Sequence, residues 1–227
     1  MKTNNKHKAH AFWGAAFVLL IAMGCTQPTD GNTGGTVTPE APFVEGGASL
    51  ILSPDKLTIG VTAVTSDGSA VAVEGCTETE LTSGTQTVLH AKGTRVILKG
   101  NIIKLYCYNN QLTALNVQGL TALQRLDCYN NQLTALNVQG CTALNTLWCY
   151  SNKLNADAFK KLFTDLPARQ DSDDAKCYLY TEETGVTEGN HTDFTSPSEV
   201  QTAFENAKDV KHWKMYKRKM NGLGEEI

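Results

Sequence analysis

The sequence has no GxSxG, no HExxH and no glycine-rich phosphate loop. The patterns that announce a serine hydrolase, a zinc protease or a nucleotide-binding enzyme are therefore missing. His90, His191 and His212 lie in different segments without partner spacing, so no enzyme is expected. No CxxC pair occurs and no His stands beside the clustered cysteines, which argues against zinc. The acidic cluster Asp171, Asp173 and Asp174 lacks the glycine and the distal glutamate of a calcium loop and reads as a solvated turn. No metal and no cofactor is expected. Basic charge is also short: 20 Lys and Arg stand against 23 Asp and Glu, and residues 1–24 hold three of the Lys and no acid. Without that segment the net charge moves from −3 to −6, which argues against a nucleic-acid partner.

What the chain does have is a repeat. LYCYNNQLTALNVQGLTALQR begins at Leu105, returns as LDCYNNQLTALNVQGCTALNT at Leu126 and starts again as LWCYSNKLN at Leu147, a period of 21 residues. A fixed period in the twenties implies units that bury their apolar edges only by stacking on one another. The apolar template is Ile102, Leu105, Cys107, Leu112, Leu115, Val117 in the first unit, with equivalents in the next two. Leu105 and Cys107 are two residues apart and point the same way from a short strand. Asn110, Asn131 and Asn152 should turn inward and bond the backbone of neighbouring turns. Cys107, Cys128 and Cys149 recur at one inward position with parallel side chains, a poor start for the crossed geometry of a disulfide. They read as small hydrophobes, as does Cys141 in the slot of Leu120; Cys76 and Cys177 have no evident place.

The pattern LxxLxCxxNxLxxLxVxxxxx resembles the short, cysteine-type leucine-rich repeats sometimes called IRREKO-type. It is closest to the repeat surface lipoproteins of oral spirochaetes (treponemes), with cousins in Bacteroidetes. The match spans residues 102–154 in register; Asn116 and Asn137 stand where the family often has Asp. The resemblance implies an α/β repeat fold: a short solenoid with a parallel concave sheet, an N-terminal β cap and a C-terminal βα cap.

Residues 1–24 read as a signal peptide, with Lys2, Lys6 and Lys8 before an apolar run from Phe12 to Met23 that is shorter than the roughly 20 residues of a spanning helix. Ile-Ala-Met-Gly before Cys25 resembles a lipobox, which makes Cys25 the lipid-attachment residue and places the protein on a membrane, at the outer membrane and cell surface or on its periplasmic face. Residues 25–47, rich in Gly, Thr and Pro, read as a flexible tether. In 48–101, SLILS, KLTIGVTAV, SAVAVEG, TQTVLHA and TRVILKG read as strands of the N-terminal cap. In 155–218 a helix is expected from Ala156 to Leu166, a strand at Lys176–Tyr180, a helix from a Ser196/Glu199 capping box to about Lys208, and a last strand from Val210 to Lys217. Residues 219–227 read as a disordered tail.

If Leu105 and Cys107 face in, the residues between them face out. The expected ligand-binding face comprises Tyr106, Tyr108, Arg125, Asp127, Tyr129, Trp148, Tyr150, Tyr178 and Tyr180. Clustered Tyr and Trp are enriched in interface hot spots, yet stacked Tyr also stabilises a sheet without any ligand. Arg125 and Asp127 would supply polar specificity or be solvated charges. Lys208, Lys211, Lys214, Lys217, Arg218 and Lys219 would touch an anionic surface or protect the last strand from edge pairing. The expected function is a monomeric module binding a host or microbial surface protein or glycan, as an adhesin would; the alternative is an antigenically variable coat protein without a dedicated ligand.

Overall fold

The computed structural model describes residues 40–227, apart from 184, 186, 197 and 220–223. The expected signal peptide, Cys25 and most of the tether lie outside the described residues. The first described stretch is already tied down: Ala41 is buried and its carbonyl accepts a 2.8 Å hydrogen bond from Asn116 Nδ2. The tether boundary at residue 47 is therefore several residues too late, because the Asn116 amide donates where an Asp could not.

The chain runs β1 (Gly47–Leu52), β2 (Thr58–Thr65), β3 (Val71–Glu74), β4 (Glu80–Leu81), β5 (Thr87–His90), β6 (Arg95–Lys99), β7 (Ile102–Tyr106), β8 (Leu112–Asn116), β9 (Arg125–Asp127), β10 (Ala135–Asn137), β11 (Thr146–Trp148), α1 (Ala156–Asp165), β12 (Lys176–Glu182), α2 (Ser198–Glu205), β13 (Lys214–Lys219) and β14 (Gly224–Glu226). The strands form two mixed sheets, one ordered β10-β8-β1-β6-β3-β4 and the other β14-β13-β12-β11-β9-β7-β2-β5.

The first two 21-residue units contribute to both, and the third adds only β11 to the larger sheet before the chain enters α1. Leu105 pairs with Leu126 and Leu126 with Leu147 in the parallel ladder β7–β9–β11, while Leu115 pairs with Leu136 in the parallel pair β8–β10. Apolar side chains from the two layers fill the space between them, with Leu105, Cys107, Leu115, Leu126, Cys128, Leu136, Leu147 and Cys149 buried. Unit joins to unit through turns that need glycine: Gly119 and Gly140, 21 residues apart, have φ of +79° and +75°. Asn109, Asn130 and Ser151 share another left-handed position, at φ of 60°, 52° and 53°, which Asn tolerates better than most residues.

The asparagines form a continuous chain of bonds. Asn131 Oδ1 accepts from Asn110 N at 2.9 Å and Leu112 N at 3.0 Å, and its Nδ2 donates to the carbonyls of Cys107 and Cys128. Asn152 repeats three of these bonds one unit on, to Leu133 N, Cys128 O and Cys149 O, while Asn131 N donates to Ser151 O, and Asn110 bonds both backbone groups of Gly60 in β2. Asn190, which lies off the 21-residue interval, supplies a further rung: it accepts from Leu154 N and donates to Cys149 O and Leu179 O. Gly189 beside it is obligatory, since a Cβ there would lie 2.1 Å from Asn152 O.

The N-terminal strands are shared out between the sheets. β2 pairs antiparallel with β7 and β1 with β8, so both layers of the first unit are covered. At the other end the order β11–α1–β12–α2–β13 keeps the strands parallel. Asn155 caps α1 through a 2.9 Å bond from Ala158 N, and Phe159, Leu162 and Phe163 are its buried face. α1 ends at Asp165, one residue before the expected Leu166, and Lys211 Nζ caps it by donating to the carbonyls of Phe163, Thr164 and Leu166.

Two expectations at this end are corrected. The last parallel strand starts at Lys214 rather than Val210, because α2 runs on into a π-turn at Asn206–Val210. Helix α2 begins at Ser198, and the proposed Ser196 cap abuts residue 197, outside the described residues. Residues 224–227 are not a disordered tail: β14 pairs antiparallel with β13, and Lys217 and Lys219 bridge Glu182 and Glu225 across the strands. The lysines of the basic run are thus largely committed. Lys208 donates to Ile227 O, Lys211 caps α1 and Lys214 meets Asp174 at 2.7 Å. β13 is an interior strand, so edge protection falls to the three-residue β14. Among the described residues no helix is long and apolar enough to cross a membrane.

Candidate functional site

The register of the eight-stranded sheet aligns its outward residues in rows that cross the strands. One row reads Thr62, Tyr106, Asp127, Trp148, Tyr178, Tyr216 and Glu226. Beside it run Lys104, Arg125, Thr146, Lys176 and Lys214. A third row follows the strand ends: Tyr108, Tyr129 and Tyr150 stack with ring centroids 4.7 Å apart at both steps and planes 6° and 11° from parallel. The strand spacing of about 4.8 Å imposes this stacking once the same residue recurs in each unit.

The middle row is tied by aromatic and cationic contacts. Trp148 meets Tyr178 at 5.0 Å and Tyr129 at 6.0 Å, both tilted, and Tyr178 stacks on Tyr216 at 5.0 Å and 18°. The Arg125 guanidinium lies 4.8 Å from the Trp148 ring and 5.6 Å from Tyr106. Arg218, in the third row beyond Tyr150, lies 5.1 Å from its ring. Gly224 of β14 opposes Arg218, and a Cβ there would sit 2.6 Å from Tyr178 Cε1, so only glycine lets the closing strand lie against the Tyr178–Tyr216 stack.

Arg125 and Asp127 are not ordinary solvated charges. Their side chains form two parallel 2.9 Å hydrogen bonds, and Asp127 is only 3 % exposed. Burial raises the Asp127 carboxyl above its ordinary range, with Arg125 opposing that shift. The carboxylate is thus consumed by its neighbour rather than offered to a ligand. Tyr150 is likewise buried, at 2 % exposure, under Arg218 and beside Tyr129, and burial pushes its hydroxyl up.

Tyr180 leaves the face. Tyr178 pairs with Tyr216 but Tyr180 pairs with Lys217, so β12 carries one extra residue at Leu179. A one-residue slip turns a side chain to the other side of the sheet. There the Tyr180 ring approaches Phe194 at 6.1 Å. Tyr106, Tyr108, Arg125, Tyr129, Trp148 and Tyr178 remain on the outer face, half-buried. Tyr216 and Arg218 extend it, and alternation from Lys214 would have pointed to Tyr216.

All six described cysteines are free and buried, and burial raises the thiols of Cys76 to about 11 and Cys141 to about 12. Cys107, Cys128 and Cys177 are pushed up as well, away from the nucleophilic thiolate. His90 pairs with Glu78 and His212 with Asp171, in separate places on the surface. Among the described residues no group of three His, Cys, Asp or Glu is placed to hold a metal ion. Compared with protein-family models, curated proteins and solved structures, the chain matches none. The assignment of function therefore rests on the face itself.

Proposed function

We propose that the chain is a membrane-anchored leucine-rich-repeat lipoprotein, without enzymatic activity, that binds a protein or glycan at the cell surface through the outer face of its eight-stranded sheet. One observation carries the reading: Tyr106, Tyr108, Tyr129, Trp148, Tyr178 and Tyr216 form one aromatic field on a partly exposed sheet face, with Arg125 set into it. Tyr, Trp and Arg are the residue types that dominate interface energetics. Their ring edges and hydroxyls offer apolar contact and hydrogen bonding together. The repeat of 21 residues supports the family, and the basic head, apolar run and Cys25 support the anchor.

The test is a Trp148→Ala, Tyr129→Ala double variant of the full chain, checked for native circular dichroism and assayed for adhesion to host matrix proteins and to bacterial cells. Loss of adhesion supports the face; unchanged adhesion of the folded variant refutes it. Metabolic labelling with a palmitate analogue, lost in Cys25→Ala, tests the anchor.

A second reading has its own support. The ring faces of Tyr129 are covered on both sides by Tyr108 and Tyr150, so much of the aromatic surface is satisfied within the sheet. That suits a coat protein with no dedicated ligand. Free variation of the Tyr and Trp rows among strains, with the Leu and Asn positions kept, would favour it.

A further inference from the structure

The tyrosine ladder has a missing rung. β2 is the next strand after β7, and with Thr62 opposite Tyr106 the position beside Tyr108 is Gly60. On the far side Gly60 pairs with Val88 of β5, an exposed apolar residue. The row thus reads Val88, Gly60, Tyr108, Tyr129, Tyr150. At about 4.8 Å per strand, Val88 and Tyr108 stand about 9.6 Å apart with no β2 side chain between them, and only the flexible end of Gln86 reaches the gap. A ring touching both walls needs roughly 7–8 Å, twice a carbon–carbon contact distance, and a puckered ring takes up the remainder.

The cleft at this point has a volume of about 300 Å³. Its floor is rigid, since Asn110 bonds both the N–H and the carbonyl of Gly60. One face of Tyr108 stacks on Tyr129 and the other looks into the cleft. The rim is polar: the Gln86 amide nitrogen lies 3.3 Å from where a Gly60 Cβ would stand, and Lys56 Nζ is held at the mouth by Asn109 O at 2.8 Å.

We propose that this cleft binds a pyranose ring of a glycan, seated with its C–H face on Tyr108. The proposal rests on the reading of the outer face as a binding surface and names its ligand class. A sugar presents both of the surfaces that the cleft matches, an apolar ring face for Tyr108 and Val88 and equatorial hydroxyls for Gln86 and Lys56. An aromatic side chain from a protein would fill the same width. It would strip water from the amide and the ammonium without replacing the hydrogen bonds, which is unfavourable.

The test uses the full chain and a panel of maltohexaose, cellohexaose, chitohexaose and N-acetyllactosamine, read by saturation-transfer NMR and by titration. Gly60→Val fills the rung. Its Cβ would meet only the flexible end of Gln86, so this variant should fold. At least one oligosaccharide should bind, with saturation concentrated on the protons of one ring face. Its affinity should fall at least 10-fold in both Gly60→Val and Tyr108→Ala and stay unchanged in Val210→Ala, an exposed position outside the face. Absence of binding across the panel, or wild-type affinity in Gly60→Val, overturns the proposal. So does binding of N-acetyltryptophanamide that Gly60→Val abolishes while every sugar fails. Adhesion lost in the Trp148/Tyr129 variant but retained in Gly60→Val sinks the cleft alone, whereas adhesion retained in both sinks the broader reading as well.

Discussion

Arg125 closes on Asp127, two residues further along the same strand, through Nε to Oδ1 and Nη2 to Oδ2, both at 2.9 Å. The carboxylate is almost sealed from solvent, while the guanidinium is about a third exposed and lies over Trp148. Breaking such a pair costs far more than the pair contributes, because the remaining charge stays buried. Arg125→Met should therefore destabilise the protein by about 3 kcal/mol in chemical denaturation. Without Arg125 only burial acts on Asp127, so its folded-state pKa lies above its unfolded value and the folded chain holds the proton longer. The variant should be most stable in acid, below the unfolded-state value, and lose stability as pH rises through the folded one. Asp127→Asn in the same background should flatten that dependence.

Asn131→Ala removes one acceptor and two donors that serve four buried backbone groups. Each unpaired group costs about 1–3 kcal/mol. The variant should lose about 3 kcal/mol or more, or fail to fold. Asn137→Ala, at the partly exposed second strand of the same unit, should lose less than about 1 kcal/mol. Equal losses in the two variants would contradict the ladder.

Acid should loosen the C-terminal hairpin first. Lys219 and Lys217 hold the Glu182 carboxyl down to about 2. A depressed folded-state pKa gives stability that is present above the ordinary glutamate range and lost as pH falls through about 2. Protection of the Lys214–Lys219 amides, measured against their intrinsic exchange rates, should therefore fall between pH ~4.5 and 2 in the wild type. Glu182→Gln should show the lower protection already at neutral pH and little further change.

The thiols of Cys76, Cys107, Cys128, Cys141, Cys149 and Cys177 are free and enclosed. A thiol reagent should modify none of them in the native protein, and all six in denaturant, at the rate of global unfolding. Rapid native-state labelling of Cys107, Cys128 or Cys149 would mean that the interior is open.

The parallel core was legible because identical residues recur at a fixed interval, so one unit's pattern could be checked against the next. Asn190 escaped notice because α1 and β12 separate it from Asn152, although it makes equivalent bonds. Tyr180 was misplaced because alternation assumes an unbroken strand, and the extra residue at Leu179 leaves no mark in composition. The segment Gly224–Glu226 looks like a polar end until Lys217 and Lys219 are known to lie opposite Glu225. Gly60 has meaning only once the pairing of β2 with β5 and β7 is fixed. Glycine there is unremarkable in a strand read alone.

In the eight-stranded sheet the parallel strands are bounded on either side by strands running the other way, β2 before β7 and β14 after β13. Neither end of that sheet presents the surface that another 21-residue coil would need. A longer member of this architecture must gain its coils in the middle, between Ile102 and Leu154, where donor and acceptor surfaces already match. Duplication there lengthens the molecule while both terminations stay as they are.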